Sequence, residues 1–373
     1  MPSSKRRPYR PMIIEETSSS PRAALPEVRV VIVILNWNGL ADTLECLASL
    51  GDLSYGNFEV IVVDNGSDQP EAEKIEAAFR SVTVLRNQKN VGYAAGNNLG
   101  IRHAMERGAD YVWLLNNDTV VAPDCLAELV AAAGSHQRVG LLSPVIYHYA
   151  SPEDIQFSGT TLDRRQEEQI TLKSLQDTHA ARQAGPVFLW GTALLVKREV
   201  VDTIGLLDER YFAYHEDLDY CLRATAAGFH ALVVPEGALR HKSARSLGSE
   251  DSPVKEYLLV RNWYLLWRTH LTGWRRRTYP RRYLAWVLTR VVVARQAGKH
   301  AIADLALDGA WDALHGRWGS CEARRQMPRA LRLFLLNYLL AWHPYFWIML
   351  LAGDLAGVTS QAFRRLSRRT TIP

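Results

Sequence analysis

Apolar and polar positions alternate between two kinds of segment along the first two thirds of this chain. Residues 29–35 form an unbroken β-branched run that ends at Asn36-Trp37-Asn38-Gly39. Runs of this kind are strands buried on both faces. Leu40, Leu44, Leu47 and Leu50 then recur at helical spacing. The alternation continues, with strands at 58–63, 82–85 and 111–115 and helices at 71–79 and 94–107. Pro123 opens a further helix, where its missing N–H costs nothing. This order predicts an α/β fold with a mostly parallel sheet and right-handed crossovers.

The middle of the chain is less regular. Residues 139–147 and 187–196 read as strands, and the polar stretch 151–185 between them as loop-rich. Residues 217–227 read as a helix ended by Gly228, and 231–234 as a strand stopped by Pro235. Beyond about residue 252 the pattern is helical throughout. Residues 333–353 carry no charge, a length that reaches across a bilayer. Asn337, His343 and Pro344 interrupt that stretch and favour a re-entrant, interfacial or buried segment over a span. Three regions follow: a disordered tail at 1–27, an α/β domain at 28–250 and a helical region at 251–373. Lys5, Arg6 and Arg7 are followed by prolines and serines, not by the apolar core of a signal peptide.

Charge changes the picture of the last region. The net charge of +5 is the sum of +14 after residue 260 and −9 before it. Eight of the 11 tryptophans also lie after residue 260. Arginine with tryptophan on helices suits an interface with anionic lipid, so peripheral membrane contact is expected. The plainer alternative is a basic helical domain whose tryptophans are core. Nucleic acid is not expected, because the helices there are too apolar. The cysteines Cys46, Cys125, Cys221 and Cys321 are widely spaced, which excludes a C-x-x-C zinc site and a disulfide scaffold and fits a reducing cytosol.

Candidate chemistry lies at the strand ends. Asn36-Trp37-Asn38, the 64–68 segment and Asn116-Asn117-Asp118 each follow a buried strand. In open α/β sheets ligands collect outside these carboxyl ends. Asp and Asn also favour turns and helix caps, and any one cluster reads either way. A second acidic group, Glu216-Asp217-Leu218-Asp219, comes from far along the chain. A strand-end acid holds a divalent ion and a phosphate, while a distant carboxylate takes a proton from a hydroxyl. Crowding among Glu216, Asp217 and Asp219 raises the pKa of one of them. Glycines from Gly92 to Gly100 open a helix, without the G-x-G-x-x-G order of a nicotinamide enzyme.

Five motifs occur in order: Asn36-Trp37-Asn38-Gly39, Val62-Val63-Asp64-Asn65-Gly66-Ser67-Asp68, Asn90-Val91-Gly92-Tyr93-Ala94-Ala95-Gly96-Asn97, Asn116-Asn117-Asp118 and Glu216-Asp217-Leu218-Asp219. Over about residues 28–265 the chain resembles family-2 glycosyltransferases of the GT-A fold, and is most similar to their bacterial rhamnosyltransferase-like branch. The resemblance implies that Asp64 binds the pyrimidine base of the donor. It implies that Asp118 ligates Mg²⁺ or Mn²⁺ on the diphosphate, although Asn116 replaces the first acid of the family's Asp-x-Asp motif. Asp217 matches the catalytic base, and His241 stands where related enzymes have a metal-binding histidine. Asn36, Asn38, Asn65, Asn97 and Asn117 join Asp64 and Asp118 as expected donor-nucleotide residues. Trp190, Gly191, Glu216 and Asp219 are expected on the sugar and acceptor side. Arg245, Arg261 and Asn262 are further candidates for the diphosphate.

The expected activity is inverting, metal-dependent transfer of a sugar to a hydroxyl of a cell-envelope glycan or lipid-linked acceptor. The branch implies dTDP-rhamnose as donor, with a UDP-sugar (galactosyl, galactofuranosyl or glucosyl) as the alternative. The expected location is the cytoplasmic face of a bacterial plasma membrane, with a homo-oligomer open. Two rivals remain. A nucleotidyltransferase favours a Gly-rich basic loop after the first strand, where this chain has Asn-Trp-Asn-Gly. A non-catalytic nucleotide- or lipid-binding scaffold needs no base at Asp217.

Overall fold

A computed structural model describes residues 27–341, apart from 136–137, 164–166 and 243–251. The expected tail at 1–27, Arg245, and residues 342–353 of the long uncharged stretch therefore fall outside the described residues, save Glu27.

The chain divides into two compact units, one of residues 1–162 with 169–246, the other of 163–168 with 247–373. The first begins with β1 (Val30–Asn36), α1 (Leu40–Leu50), β2 (Phe58–Asp64), α2 (Glu71–Ala78), β3 (Thr83–Arg86), α3 (Tyr93–Glu106) and β4 (Tyr111–Asn116). It continues with β5 (Thr119–Val121), α4 (Cys125–Ser135), β6 (Val139–His148), β7 (Ile155–Phe157), β8 (Thr160–Asp163), β9 (Glu168–Thr171) and α5 (Leu175–Ala184). Then come β10 (Ala193–Lys197), α6 (Arg198–Ile204), α7 (Glu216–Ala227) and β11 (His230–His241).

Among the described residues, nine strands form one sheet in the order β3-β2-β1-β4-β10-β6-β11-β5, with β7 added beside β6. Strands β3, β2, β1 and β4 are parallel, and the apolar runs of β1, β2 and β4 suit strands covered on both faces. Beyond β4 the sheet is mixed: β10 runs antiparallel to both neighbours, β6 and β11 are parallel, and β5 is antiparallel to β11. The side chains of Val30 to Ile34 are fully buried. Each such side chain contributes about 1.5–3 kcal/mol relative to exposure. Helix α3 lies directly on β1 because Gly96 and Gly100 have no side chain. A Cβ on Gly100 would stand 2.3 Å from Val33 Cγ1, and one on Gly96 2.5 Å from Leu35 Cδ1. This close packing brings the start of α3 to the carboxyl edge of β1.

Four local expectations change. The 151–185 stretch holds three short strands and α5, each too brief for periodicity to show. Only Ala193–Lys197 of the 187–196 run is strand. The apolar residues before it are buried as irregular chain, with Phe188 exchanging both backbone hydrogen bonds with Thr160. Strand β11 does not stop at Pro235. Its register against β6 shifts between Val234 and Ala238, and pairing resumes to His241. A bulge is where a sheet tolerates proline, since the missing N–H there breaks no ladder bond. Helix α4 begins at Cys125, two residues after Pro123. All four cysteines are free and buried.

The second unit contains α8 (Pro253–His270), α9 (Gly273–Gln296), α10 (His300–Leu314) and α11 (Arg329–Ala341). Its core is aromatic. Trp263 meets Trp267 edge-on at 5.6 Å and Trp286 at 6.2 Å, and Tyr264, Tyr279 and Tyr283 cluster beside them. Two of the tryptophans expected at a lipid interface, Trp263 and Trp267, are therefore core. Arg261, expected at the diphosphate, is 0 % exposed. It donates to Asn262 Oδ1 and to the Gly319 carbonyl, so it serves the interior of this unit. No helix among the described residues is long and apolar enough to cross a membrane.

Candidate active site

The parallel half of the sheet delivers its polar clusters to one edge. Asn36 pairs in register with Asp64, and Leu35 with Asn116. Asn36 sits beneath the edge with its amide fully engaged. It donates to Glu71 Oε2 at 2.9 Å and accepts from Thr43 Oγ1 at 2.7 Å. Asp64 Oδ1 accepts from Ser67 Oγ at 2.6 Å and from Asn36 at 3.3 Å. Its Oδ2 takes no hydrogen bond from the described residues. Asn38, at a positive φ of 51°, is locked to Asp68 by two hydrogen bonds of 3.0 and 2.8 Å.

The remaining asparagines are braces. Asn65 donates to Asn90 Oδ1 and the Gly92 carbonyl, and accepts from Asn87 and the Val91 N–H. Asn97 donates back to the Tyr93 carbonyl within α3. Asn117 reaches Thr43 Oγ1 at 3.0 Å. The first two amides of α3 are not open to a phosphate, because Tyr93 N–H and Ala94 N–H both point at the Phe212 carbonyl.

Asp118 and His241, far apart in sequence, meet. The bulged continuation of β11 pairs with β5 so that His241 lies opposite Thr119. His241 Nε2 is 3.1 Å from Asp118 Oδ1. Its other nitrogen, Nδ1, is 2.8 Å from Gln156 Oε1. With that oxygen as acceptor, Nδ1 carries the hydrogen and Nε2 presents a lone pair toward the carboxylate. Two acceptors facing each other at this distance call for a proton or a metal cation shared by both. The donor set, one carboxylate oxygen and one imidazole nitrogen, fits Mg²⁺ or Mn²⁺ with further positions left for phosphate oxygens and water. No cluster of three or more His, Cys, Asp or Glu side chains able to hold a metal occurs among the described residues. Lys242 fixes the end of β11: its N–H donates to the Asp118 carbonyl at 3.0 Å, and its Nζ meets Asp42 at 2.6 Å and also Glu45, both on α1.

The acidic motif starts α7 after a strained approach. Phe212, Tyr214 and His215 all have positive φ, near 64°, 70° and 71°. Such backbone is costly for non-glycine residues and persists where packing imposes it, most often at functional sites. Here the Phe212 carbonyl is pinned by the start of α3. Asp217 Oδ2 accepts from the Gly191 N–H at 2.9 Å and its Oδ1 from the Leu218 N–H at 2.7 Å. Burial raises its carboxyl above the usual aspartate value, and these two donors pull the other way. Glu216 is buried, with Oε2 unpartnered. Burial first, and then the charge of Asp217, push it well above the usual glutamate value. Asp219 is not brought to the open edge: it is 1 % exposed and ion-paired to Arg223 at 2.8 Å. Arg223 in turn donates to the Ile204 and Leu206 carbonyls, which anchors α7.

Three residues were not singled out by sequence reasoning. Tyr93 donates from its hydroxyl to the Gly191 carbonyl at 2.7 Å. Burial raises its hydroxyl pKa well above the usual value, with Glu216, Asp217 and Asp118 adding to the shift, so it remains a donor among these acids. Gln156 and Phe157 are neighbours on β7. Gln156 holds His241, and Phe157 stacks on Trp190 with ring centroids 4.4 Å apart. Tyr93 follows Gly92 within one of the five motifs, whereas Gln156 lies in a polar stretch with no periodic signal.

The mixed sheet with its parallel half and flanking helices is of the GT-A type. Residues 30–205 match the model of glycosyl transferase family 2 and form a domain of that family. It is 32% identical over 275 residues to an uncharacterised protein of Sinorhizobium fredii, covering 67% of this chain but only 28% of that longer relative. It is 26% identical over 251 residues to the dTDP-rhamnosyl transferase RfbF of Shigella flexneri, covering 64% of this chain and 80% of the relative. A crystal structure of GalNAc-T7 with UDP, GalNAc and Mn²⁺ shares the fold, at a TM-score of 0.53 and 18% identity over 65% of this chain and 48% of that one.

Proposed function

We propose that this chain is an inverting, divalent-metal-dependent glycosyltransferase. Its donor is a nucleoside-diphosphate sugar, dTDP-rhamnose in the favoured reading. Its acceptor is a hydroxyl of a cell-envelope glycan or lipid-linked precursor at the cytoplasmic face of a bacterial membrane. The observation that carries the reading is the approach of His241 Nε2 to Asp118 Oδ1 at 3.1 Å on the same edge that presents Asp64. The similarity to a dTDP-rhamnosyl transferase supports the donor. The basic, acid-poor C-terminal region supports a lipid-linked acceptor.

Asp64 offers its open Oδ2 to an N–H of the pyrimidine, while Ser67 and Asn36 fix the other oxygen. Asp118 and His241 would hold Mg²⁺ or Mn²⁺ on the diphosphate. Bound there, the ion neutralises charge on the departing nucleoside diphosphate. Asp217 takes the proton of the attacking hydroxyl, because a sugar hydroxyl is a poor nucleophile until a base removes it. Attack from the face opposite the leaving group inverts the anomeric carbon. The Gly191 and Leu218 N–H groups aim the Asp217 carboxylate. Burial of that carboxylate raises its proton affinity toward a working base. Trp190, braced by Phe157, gives the acceptor sugar an apolar face.

Calorimetric titration of dTDP, UDP, GDP and NAD, with and without Mn²⁺, tests this reading. The expected result is Mn²⁺-dependent binding of one pyrimidine diphosphate, dTDP first, weakened roughly tenfold or more in Asp118→Ala, as loss of a metal ligand predicts. Equal binding without metal, or binding of none, contradicts it.

A further inference from the structure

Helix α9 is 24 residues long and contains seven arginines and no acidic residue. Four of the seven face acids within their own unit. Arg275 and Arg282 meet Glu167, Arg290 meets Glu256 and Arg295 meets Asp304. The other three, Arg276, Arg277 and Arg281, are exposed and meet no acid among the described residues. Tyr279, Tyr283, Val287 and Val291 are the buried side of the helix. Helical geometry sets Trp274, Arg277, Arg281, Leu284 and Leu288 on the other side, and Arg276 on the side of the tyrosines. Trp274 is 71 % exposed and Leu284 36 %, and Val293, at the flank, is 50 % exposed.

A water-facing helix of a globular domain ordinarily mixes both signs of charge and keeps tryptophan inside. This face does neither. Its cations meet no acid among the described residues, and Trp274 and Leu284 are exposed. Unpaired guanidiniums attract phosphate-bearing headgroups, and tryptophan with leucine enters the boundary between headgroup and acyl chain. Nucleic acid would answer the arginines but leave the leucines in water.

We propose that this face of α9, centred on Trp274, Arg277 and Arg281 and continued by Leu284, docks on an anionic bilayer surface. The proposal rests on the reading of the C-terminal region as membrane-associating and names the surface that does it. It also separates the tryptophans by role: Trp263 and Trp267 build the core, and Trp274 meets lipid.

Flotation of the full chain with phosphatidylcholine vesicles, with and without phosphatidylglycerol, tests it. The wild type is expected to float only with the anionic lipid. The double variant R277Q/R281Q is expected to lose partitioning by roughly 25-fold, since each basic side chain near the surface contributes about a fivefold factor. Trp274→Ala should weaken it further. Arg276→Gln, which removes an exposed charge from the other side of the helix, should weaken it clearly less than loss of either face arginine. Binding of dTDP should persist in every variant. A double variant that floats like the wild type overturns the α9 face while leaving membrane association to another segment. A wild type that floats on neither vesicle overturns both. Tighter capture of single-stranded DNA than of anionic vesicles overturns the lipid assignment in favour of nucleic acid.

Discussion

Gln156 Oε1 lies 2.8 Å from His241 Nδ1, so a residue of the three-residue strand β7 decides which nitrogen of the imidazole faces Asp118. Removing that acceptor frees the ring to turn and to exchange its hydrogen. Gln156→Leu is expected to weaken Mn²⁺ affinity about 10–100-fold, the usual cost of losing a group that orients a metal histidine. Mn²⁺ titration in the presence of dTDP reads this directly. In the metal-free protein, ¹⁵N shifts of His241 should show the Nδ1–H tautomer in the wild type and a mixture in the variant. Unchanged shifts and unchanged affinity would remove Gln156 from the account.

Glu216 makes the stability of the first unit depend on pH with a definite sign. Its folded-state pKa stands well above the usual 4.5. The folded state therefore holds the proton more tightly than the unfolded chain. Stability is fully present below about pH 4.5 and declines as pH rises through the folded value. Glu216→Gln removes this decline. Its thermal midpoint should exceed that of the wild type at pH 7, by about 2–4 °C for each kcal/mol regained, and the gap should close at pH 4. A gap of constant size across that range would refute the buried-carboxyl assignment.

The ion pair of buried Asp219 with half-buried Arg223 holds α7, and with it Asp217. Arg223→Met leaves Asp219 buried without its partner, which costs about 3–5 kcal/mol. Asp219→Leu combined with Arg223→Met should cost clearly less than Arg223→Met alone, because no charge is then stranded. Denaturant unfolding of the three proteins measures this. Equal losses would mean that the pair does not anchor the helix.

Much of this site was legible in the sequence because its residues stand at the ends of strong signals. Asp64 and Asp118 follow continuous apolar runs, and Asp217 opens a helix that Gly228 closes. Asp118, His241 and Asp217 were expected to act together, and the structure brings the first two into contact. The path of His241 to the site was hidden, since Pro235 reads as a strand end and only tertiary pairing carries β11 past it. Short strands such as β7 carry no detectable period, so Gln156 and its hold on His241 were invisible. The same blindness affected Asp219 and Arg261, whose charges suggested ligands but whose buried side chains are committed to Arg223 and to the Gly319 carbonyl. Sequence shows which residues bear charge. It does not show which charges are already answered.

Asp217→Asn tests most directly whether Asp217 is the base in a glycosyl transfer. The asparagine keeps the shape of the side chain but takes no proton. Transfer of rhamnose from dTDP-rhamnose should fall by about 10²–10⁴-fold, the usual contribution of a positioned general base. Mn²⁺-dependent dTDP binding should stay within a few-fold of wild type. Retained transfer in Asp217→Asn would contradict the account, and loss of transfer together with loss of dTDP binding would show that Asp217 supports the fold of the site and not its chemistry.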